Sequence, residues 1–469
     1  MKIDTYYRRS RIFTPLNYQM LKIFALIKKS LKNSFDNIRN EQLKNNLLQA
    51  IPFWIGSVIT GFFAVMYAQV FAWGEHLMNF IFDWHAWMIF IIAPIGFVLS
   101  WWLVKEFAPN AKGSGIPQVM AAVELANPKE HRKIRNLLSI KIIFFKILSS
   151  VILVIGGGAV GREGPTIQIA GSVFRKVNEY LPEWWPKISK KNMIMTGAAA
   201  GLAAAFNTPL GGIVFAVEEL SKTHINYFKT ALFTAVIIAG LTAQTLAGSY
   251  LYLGYPKTND VSLMVMFPIM LVAGTAGILA SQLSVIMLKI NGWKKKKLKT
   301  DKANVVFLII SALIIASIAY FINREILGSG KEIMERVLFT KNKHEDWYVP
   351  ILRMLGPALS FTSGGAGGIF APALSAGASI GSVISGVIHL TPNETNVVIL
   401  AGMVAFLTGI TRAPFTSAII VLEMTDRHSL IFHLMLAGMV SSIASILVSR
   451  HSLYDVLKVN FLTELREKD

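Results

Sequence analysis

Long stretches without a single charge recur along the chain, at 51–74, 86–104, 261–288 and 304–323. Each meets or approaches the ~20 apolar residues needed to cross ~30 Å of hydrocarbon as a helix. No ten-residue alternation of apolar and polar positions repeats, as a membrane β-barrel would require. Backbone polar groups cannot go unpaired in lipid, so the spans are predicted as helices and the fold class as an all-α polytopic membrane protein.

Composition sharpens that picture. Of the 469 residues 53% are hydrophobic and 16% charged, against roughly 25% charged in an average soluble protein, which excludes an ordinary soluble enzyme. The formal net charge of +19 would suggest nucleic acid were it not for its placement. Residues 1–48 hold ten Lys or Arg against three acids. Residues 129–135 hold Lys129, Arg132, Lys133 and Arg135, and 294–302 hold Lys294 to Lys297, Lys299 and Lys302. Basic residues gathered between spans mark cytoplasmic loops, so the N-terminus is placed in the cytoplasm and nucleic acid is not a partner. The Lys294–Lys297 run reads first as a topology signal, with a lipid-binding role as the alternative. There is no cysteine, hence no disulfide or thiolate chemistry.

The expected organisation is a cytoplasmic amphipathic, basic segment at 1–48, a membrane domain at 49–460 and a short cytoplasmic tail at 461–469. Within the membrane domain the sequence repeats. Gly157, Gly158, Gly161, Pro165 and Ser172 recur 207 positions on as Gly364, Gly365, Gly368, Pro372 and Ser379. Gly197, Ala200, Pro209 and Glu218 recur 205 positions on as Gly402, Ala405, Pro414 and Glu423. Close packing alone would explain the small residues but not their order, so a duplicated transporter is predicted, with halves near 49–250 and 260–460.

Each half carries a glycine-rich, proline-containing break inside an apolar region: GGGAVGREGP at 156–165 and GGAGGIFAP at 364–372. A third break is GSGIP at 113–117. Glycine lets the backbone turn and approach a ligand, and proline suits a first helical turn. Three helix N-termini are therefore predicted inside the membrane, at the place where broken helices of duplicated transporters bind substrate. A helix start carries about half a positive charge and several unpaired N–H groups. Three of them converging would attract an anion without the fixed charge that would hold it too tightly to release.

Ionisable groups inside membrane helices cost roughly 2.5 to 3.5 kcal/mol even on lenient scales, which makes each a functional candidate. Between Lys146 and Arg175 the only charges are Arg162 and Glu163, inside the GREGP break. A carboxylate there could occupy the anion's position when ionised and vacate it when protonated; the other reading is a simple Arg162–Glu163 ion pair or an N-cap. Glu218 and Glu219 end an apolar run. Glu218 has a repeat partner in Glu423, pointing to a shared structural role such as a cap or buried hydrogen bond, whereas Met424 stands opposite Glu219. Glu219 is accordingly the candidate proton acceptor, with a solvated surface carboxylate as the other reading. Ser114 and Tyr454 offer hydroxyl donors.

Other motifs carry nothing. Gly156 to Gly161 fits GxGxxG with Glu183 beyond it, but no βαβ pattern surrounds it. His344-Glu345 lacks a second His at metal spacing, and neither metal nor cofactor is indicated.

GSGIP at 113–117, GREGP at 161–165 and GGIFAP at 367–372, in that order, resemble the CLC family of chloride channels and transporters. The resemblance runs from about 50 to 460, with support from AAAFNTPLGGIVFAVEEL at 203–220 and VLEMTD at 421–426. It implies two inverted-topology halves of about eighteen tilted, partly broken helices, and a homodimer with one pore per subunit. The selectivity motifs would be Gly113, Gly115, Ile116 and Pro117, then Gly161, Arg162, Gly164 and Pro165, then Gly368, Ala371 and Pro372. It also implies that Ser114, Tyr454 and the backbone amides of Ile369 and Phe370 hold chloride, that Glu163 is the external gate, and that Glu219 is the internal proton-transfer glutamate of antiporters. Ser114 stands where nitrate-preferring relatives have proline. Gln118 departs from the Glu that many relatives carry after GSGIP, which puts the wiring near the cytoplasmic vestibule in doubt. The expected function is chloride/proton antiport in a bacterial inner membrane, with both termini cytoplasmic, and with small anions, protons and lipid as partners. The alternatives are a passive chloride channel and, more distantly, a membrane hydrolase built on the serines of GSG at 113–115 or 328–330, for which no matching His is present.

Overall fold

A computed structural model describes residues 32–33, 35–37, 39–221, 229–248, 252–258 and 262–467. Most of the basic segment expected at 1–48 therefore lies outside the described residues. The first apolar stretch belongs to a longer helix than hydropathy alone marks, α1 (Glu41–Trp84), started by Asn40, whose side chain accepts from the Leu43 N–H at 3.0 Å. Its polar ends remain helical because water and headgroups solvate them. Then follow α2 (Ile89–Phe107), α3 (Ile116–Glu124), α4 (Ile140–Ile155), α5 (Glu163–Glu179), α6 (Lys190–Phe206), α7 (Pro209–Phe215) and α8 (Lys229–Ala247). The second series is α9 (Met266–Lys297), α10 (Asp301–Phe321), α11 (Lys331–Phe339), α12 (Val349–Phe361), α13 (Phe370–Ile388), α14 (Pro392–Thr411), α15 (Pro414–Thr425) and α16 (Ile431–Ile446). Helix α17 (Leu453–Arg466) closes the chain. It runs past residue 460 and buries Phe461, Leu462 and Leu465, so the stretch expected as a tail is helical as far as Arg466.

The sequence repeat is a backbone repeat. Gly157 and Gly364 are both left-handed, at φ 77° and 92°. So are Asn207 and Arg412, at φ 57° and 65°, although neither is glycine. The residues that introduce α7 and α15, Thr208 and Ala413, share φ near −120° and ψ near 80°. Because α14 is walled in on every side and α10 exposes one face, the duplicated helices form an inner layer and the strongly apolar helices an outer one. The inner layer packs backbone against backbone. A Cβ at Gly377 of α13 would overlap the Gly402 carbonyl of α14, so only hydrogen fits there.

Nine helices among the described residues are long and apolar enough to cross a membrane, and the protein is a multi-pass membrane protein of all-α class. Prolines 52, 94 and 357 lie inside α1, α2 and α12. Neighbouring helices re-satisfy the freed carbonyls in such bundles.

Candidate anion site

The three glycine-rich breaks meet at one place, and hydrogen bonds between their backbones hold them there. Gly161 and Gly368 each donate an N–H to the other's carbonyl, at 2.8 and 2.6 Å. The Gly113 N–H donates to Gly365 at 2.8 Å and the Gly367 N–H to Gly113 at 3.1 Å. From this knot α3, α5 and α13 depart, each starting where its break ends. The predicted convergence of three helix N-termini is therefore the arrangement found, with Ile369 and Phe370 at the start of α13.

Glycine is required here by geometry. Gly113 and Gly115 take φ of 64° and 108°, a region closed to most side chains. A methyl group on Gly164 would collide with the Ser114 hydroxyl, and one on Gly161 with the Glu163 carboxylate. Those two contacts place Ser114 and Glu163 against the knot.

The polar groups around it are buried. Ser114, Glu163 and Tyr454 are each 1% exposed, and Ser114 Oγ, Tyr454 Oη and Glu163 Oε2 lack a well-formed hydrogen bond within the protein, the Ser114 and Tyr454 hydroxyls facing each other. Buried polar atoms are normally paired, so three unsatisfied ones beside three helix starts point to a ligand with hydrogen-bonding capacity. Glu163 Oε1 is held differently: the Tyr252 hydroxyl donates to it at 3.1 Å. From Tyr252 a run of rings leads across the site, with centroids 5.1 Å from Tyr252 to Phe206, 6.2 Å from Phe206 to Phe370 and 6.2 Å from Phe370 to Tyr454.

Glu218 and Glu219 part company as the sequence suggested. Both lie in a π-helical turn, Ala216–Ser221, that continues α7. Glu218 turns to the other half, where its carboxylate accepts from the backbone N–H groups of Phe415 and Thr416 at 3.2 and 2.7 Å. Glu423 returns the same cap to Leu210 and Gly211 at 3.0 and 2.7 Å. Glu219 is 8% exposed and lines a narrow crevice with Phe370 and Tyr454, which places it inside the protein rather than at a solvated surface.

On the side of Ser114 a cavity of about 460 Å³ is lined by Lys112, Ser114, Gln118, Lys294, Lys295 and Glu464. Two Lys of the basic run thus border a vestibule. Lys294 is fixed in place by donating to the carbonyls of Thr362 and Ser363 at 2.5 and 3.3 Å. The Gln118 amide donates to the carbonyls of Asn110 and Lys112 at 3.1 and 2.7 Å, bracing the loop that carries Ser114. Ion pairs dock α17, and with it Tyr454, onto this region: Lys112–Glu464 at 3.1 Å, Lys458–Glu124 at 3.2 Å and the two-pronged Arg466–Glu130 at 2.8 and 3.0 Å.

Sequence reasoning missed four residues of this assembly. Lys146 is fully buried and donates to the carbonyls of Ala111 and Gly113 at 2.8 and 2.7 Å, so a basic side chain stands one layer behind the helix starts and ties down the loop that carries Ser114. Arg353, also fully buried, joins the Glu325, Leu327 and Gly328 carbonyls to Ser375 of α13. A lone cation inside an apolar run was the available signal for both. Tyr252 and Phe206 carried none.

The sequence profile of the family described as "Voltage gated chloride channel" matches residues 96–445. Among curated proteins, the chain is 26% identical to "H(+)/Cl(-) exchange transporter ClcA" of Salmonella schwarzengrund over 458 residues, 92% of each chain. It is 28% identical to the protein of the same name from Citrobacter koseri over 433 residues, 87% of each. Among solved structures, a slow cyanobacterial Cl-/H+ antiporter superposes with a TM-score of 0.75 at 24% identity, covering 89% of this chain and 98% of the other. A CLC-type fluoride/proton antiporter superposes at 0.73 and 18% identity over 89% and 98%. With three matched motifs knotted at one point and the family profile spanning three quarters of its length, the chain belongs to the CLC, or voltage-gated chloride channel, family.

Proposed function

We propose that the protein is a secondary transporter that exchanges chloride for protons. The observation that carries this reading is the state of Glu163, a buried carboxylate at the start of α5 with one oxygen held by Tyr252 and the other unpaired beside the α3–α5–α13 knot. In that position an ionised carboxylate competes with an anion for the same dipoles. Protonation removes the competition, and one group couples two ions.

In this reading Ser114, Tyr454 and the amides of Ile369 and Phe370 hold the central chloride. Glu219, buried beside Tyr454, receives protons from the cytoplasm, while anions reach Ser114 through the lysine-bordered vestibule. Protons and chloride thus take different routes on the cytoplasmic side and meet at Glu163. The curated relatives named as H(+)/Cl(-) exchangers support the same ion pair. The protein would act as a homodimer in a bacterial inner membrane with both termini cytoplasmic, the basic segments lying inside.

The test is purified protein in liposomes under a chloride gradient. Uphill proton movement is expected in the native protein, and its loss with retained anion flux in Glu163→Gln. A reversal potential that follows chloride alone across a pH gradient would identify a passive channel instead.

A further inference from the structure

A second cavity system lies on the outer layer, between α1, α4 and α5. An open groove of about 1000 Å³ is walled by residues such as Ile55, Ile59 and Phe63 of α1 and Phe144, Ile147 and Val151 of α4. Among the described residues Lys176 is the one charged residue along it. Its floor is set by Trp185, whose indole N–H donates to the Leu48 carbonyl at 2.6 Å. Along α4 the lining runs from Ile140 to Val151. At 1.5 Å per residue that is about 16 Å, half of the ~30 Å hydrocarbon core. Along α1 it runs further, from Ile51 to Val70, about 28 Å, which is long enough to hold an acyl chain.

At the Ile140 end it opens into a polar cavity of about 540 Å³, and the two share Ile140 and Lys176. This cavity is lined by Arg135, Lys141, Arg175 and Lys176, with Asn110, Asn136 and Ser139 and the apolar Phe107, Ile142 and Leu465, and among the described residues no carboxylate lines it. Among the described residues one acid pairs with these cations, Glu179, at 3.4 Å from Arg175 and 2.8 Å from Lys176. The Arg175 guanidinium is aimed by a 3.0 Å hydrogen bond to the Leu138 carbonyl. Four cations against one acid leave an excess positive charge at the mouth of a long apolar groove. By the distribution of basic residues, Arg135 belongs to a cytoplasmic loop.

We infer that this composite cavity binds one anionic phospholipid of the cytoplasmic leaflet, its phosphate among Arg135, Lys141 and Lys176 and an acyl chain in the groove. Headgroup and chain sites are built from adjoining turns of the same helices, so neither half of the ligand suffices alone. Basic cavities between membrane helices on the cytoplasmic side suit such headgroups. Because α5 contributes Arg175 and Lys176 at its far end and Glu163 at its start, a bound lipid would rest on the helix that carries the gate. The inference does not depend on which ions are carried.

Native mass spectrometry of the full-length protein in detergent tests it, with dioleoyl phosphatidylglycerol and dioleoyl phosphatidylcholine as probes. Retention of one phosphatidylglycerol per chain is expected, with at least a tenfold preference over phosphatidylcholine. The triple variant Arg135→Gln/Lys141→Gln/Lys176→Gln should abolish the preference, and the single reversal Lys141→Glu should reduce it severalfold. Ile55→Trp, which fills the groove from an exposed position, should weaken both lipids alike. Three results overturn the proposal: no preference in the native protein, a preference that survives the triple variant, or displacement of the lipid by millimolar glycerol phosphate, which would reveal a free-anion site with no need for the groove.

Discussion

Gly161 and Gly368 occupy the same position in the two halves of the chain, and each donates its N–H to the other's carbonyl. Such an exchange between equivalent residues requires a local two-fold axis to pass between them. The caps given by Glu218 and Glu423 obey the same axis, since Phe415 and Thr416 are the repeat equivalents of Leu210 and Gly211. The candidate anion site lies where that axis leaves the two breaks facing each other, and the sequence departs from symmetry at the two proposed transport carboxylates: Glu163 stands opposite Phe370, and Glu219 opposite Met424.

Adjacent glutamates are accordingly expected to differ in phenotype. Glu218→Ala should cost about 0.5–2 kcal/mol as a lost cap and leave proton coupling intact, as should Glu423→Ala. Glu219→Gln should leave stability nearly unchanged and stop proton transport while chloride still passes. Thermal unfolding paired with proton and chloride fluxes in liposomes separates the two. Coupling lost in Glu218→Ala but kept in Glu219→Gln would reverse the assignment.

Tyr252→Phe removes the hydroxyl that holds Glu163 Oε1. With a hydrogen bond worth ~1–2 kcal/mol gone from the closed carboxylate, anion flux is expected to rise severalfold, while Tyr252→Phe keeps the edge-to-face ring contact with Phe206. Unchanged chloride efflux would show that Tyr252 plays no part in holding the gate.

Ser114→Pro deletes a buried hydroxyl at the knot and should raise nitrate transport relative to chloride. A selectivity series over chloride, bromide and nitrate reads this directly. If the ratio stays fixed, Ser114 does not line the anion's path.

Gln118→Glu should destabilise the vestibule. The amide donates to two carbonyls, and a carboxylate would face both with like partial charge. A loss of about 1–3 kcal/mol is expected, visible as a lower unfolding temperature that recovers partly at acid pH, where the carboxylic acid can donate again. Equal stability at neutral and acid pH would contradict this account.

Outside the membrane, the Arg466 guanidinium, aided by Asn127, holds the Glu130 carboxylate well below its ordinary 4.5, at about 2. A carboxylate lowered on folding stabilises the folded state above its ordinary pKa and loses that contribution as pH falls through the lowered one. The stability difference between the native protein and Arg466→Met should therefore be constant above pH 4.5 and shrink towards pH 2. The effect is small, because solvent screens an exposed pair.

Much of this was legible in the sequence. The spans, the repeat and the three breaks follow from hydropathy and from glycine and proline spacing, because those signals report local backbone constraints. Glu163 stood out as a charge in an apolar region for the same reason. Tyr252 did not, since its role exists only through a contact across 89 residues with no periodicity to announce it. Gln118 was legible as a departure but not as a brace, because its partners are backbone carbonyls rather than side chains.

The crossed caps also set an order of events during synthesis. The N-terminus of α7 receives its cap from Glu423, about 210 residues downstream, and the knot at Gly161 waits equally for Gly368. At 5–20 residues per second the ribosome needs roughly 10–40 s to supply them. Throughout that interval the first half sits in the bilayer with an unfinished interior, so its native arrangement is settled only after the second half has been inserted, and a truncated first half would depend on a separately made second half to complete it.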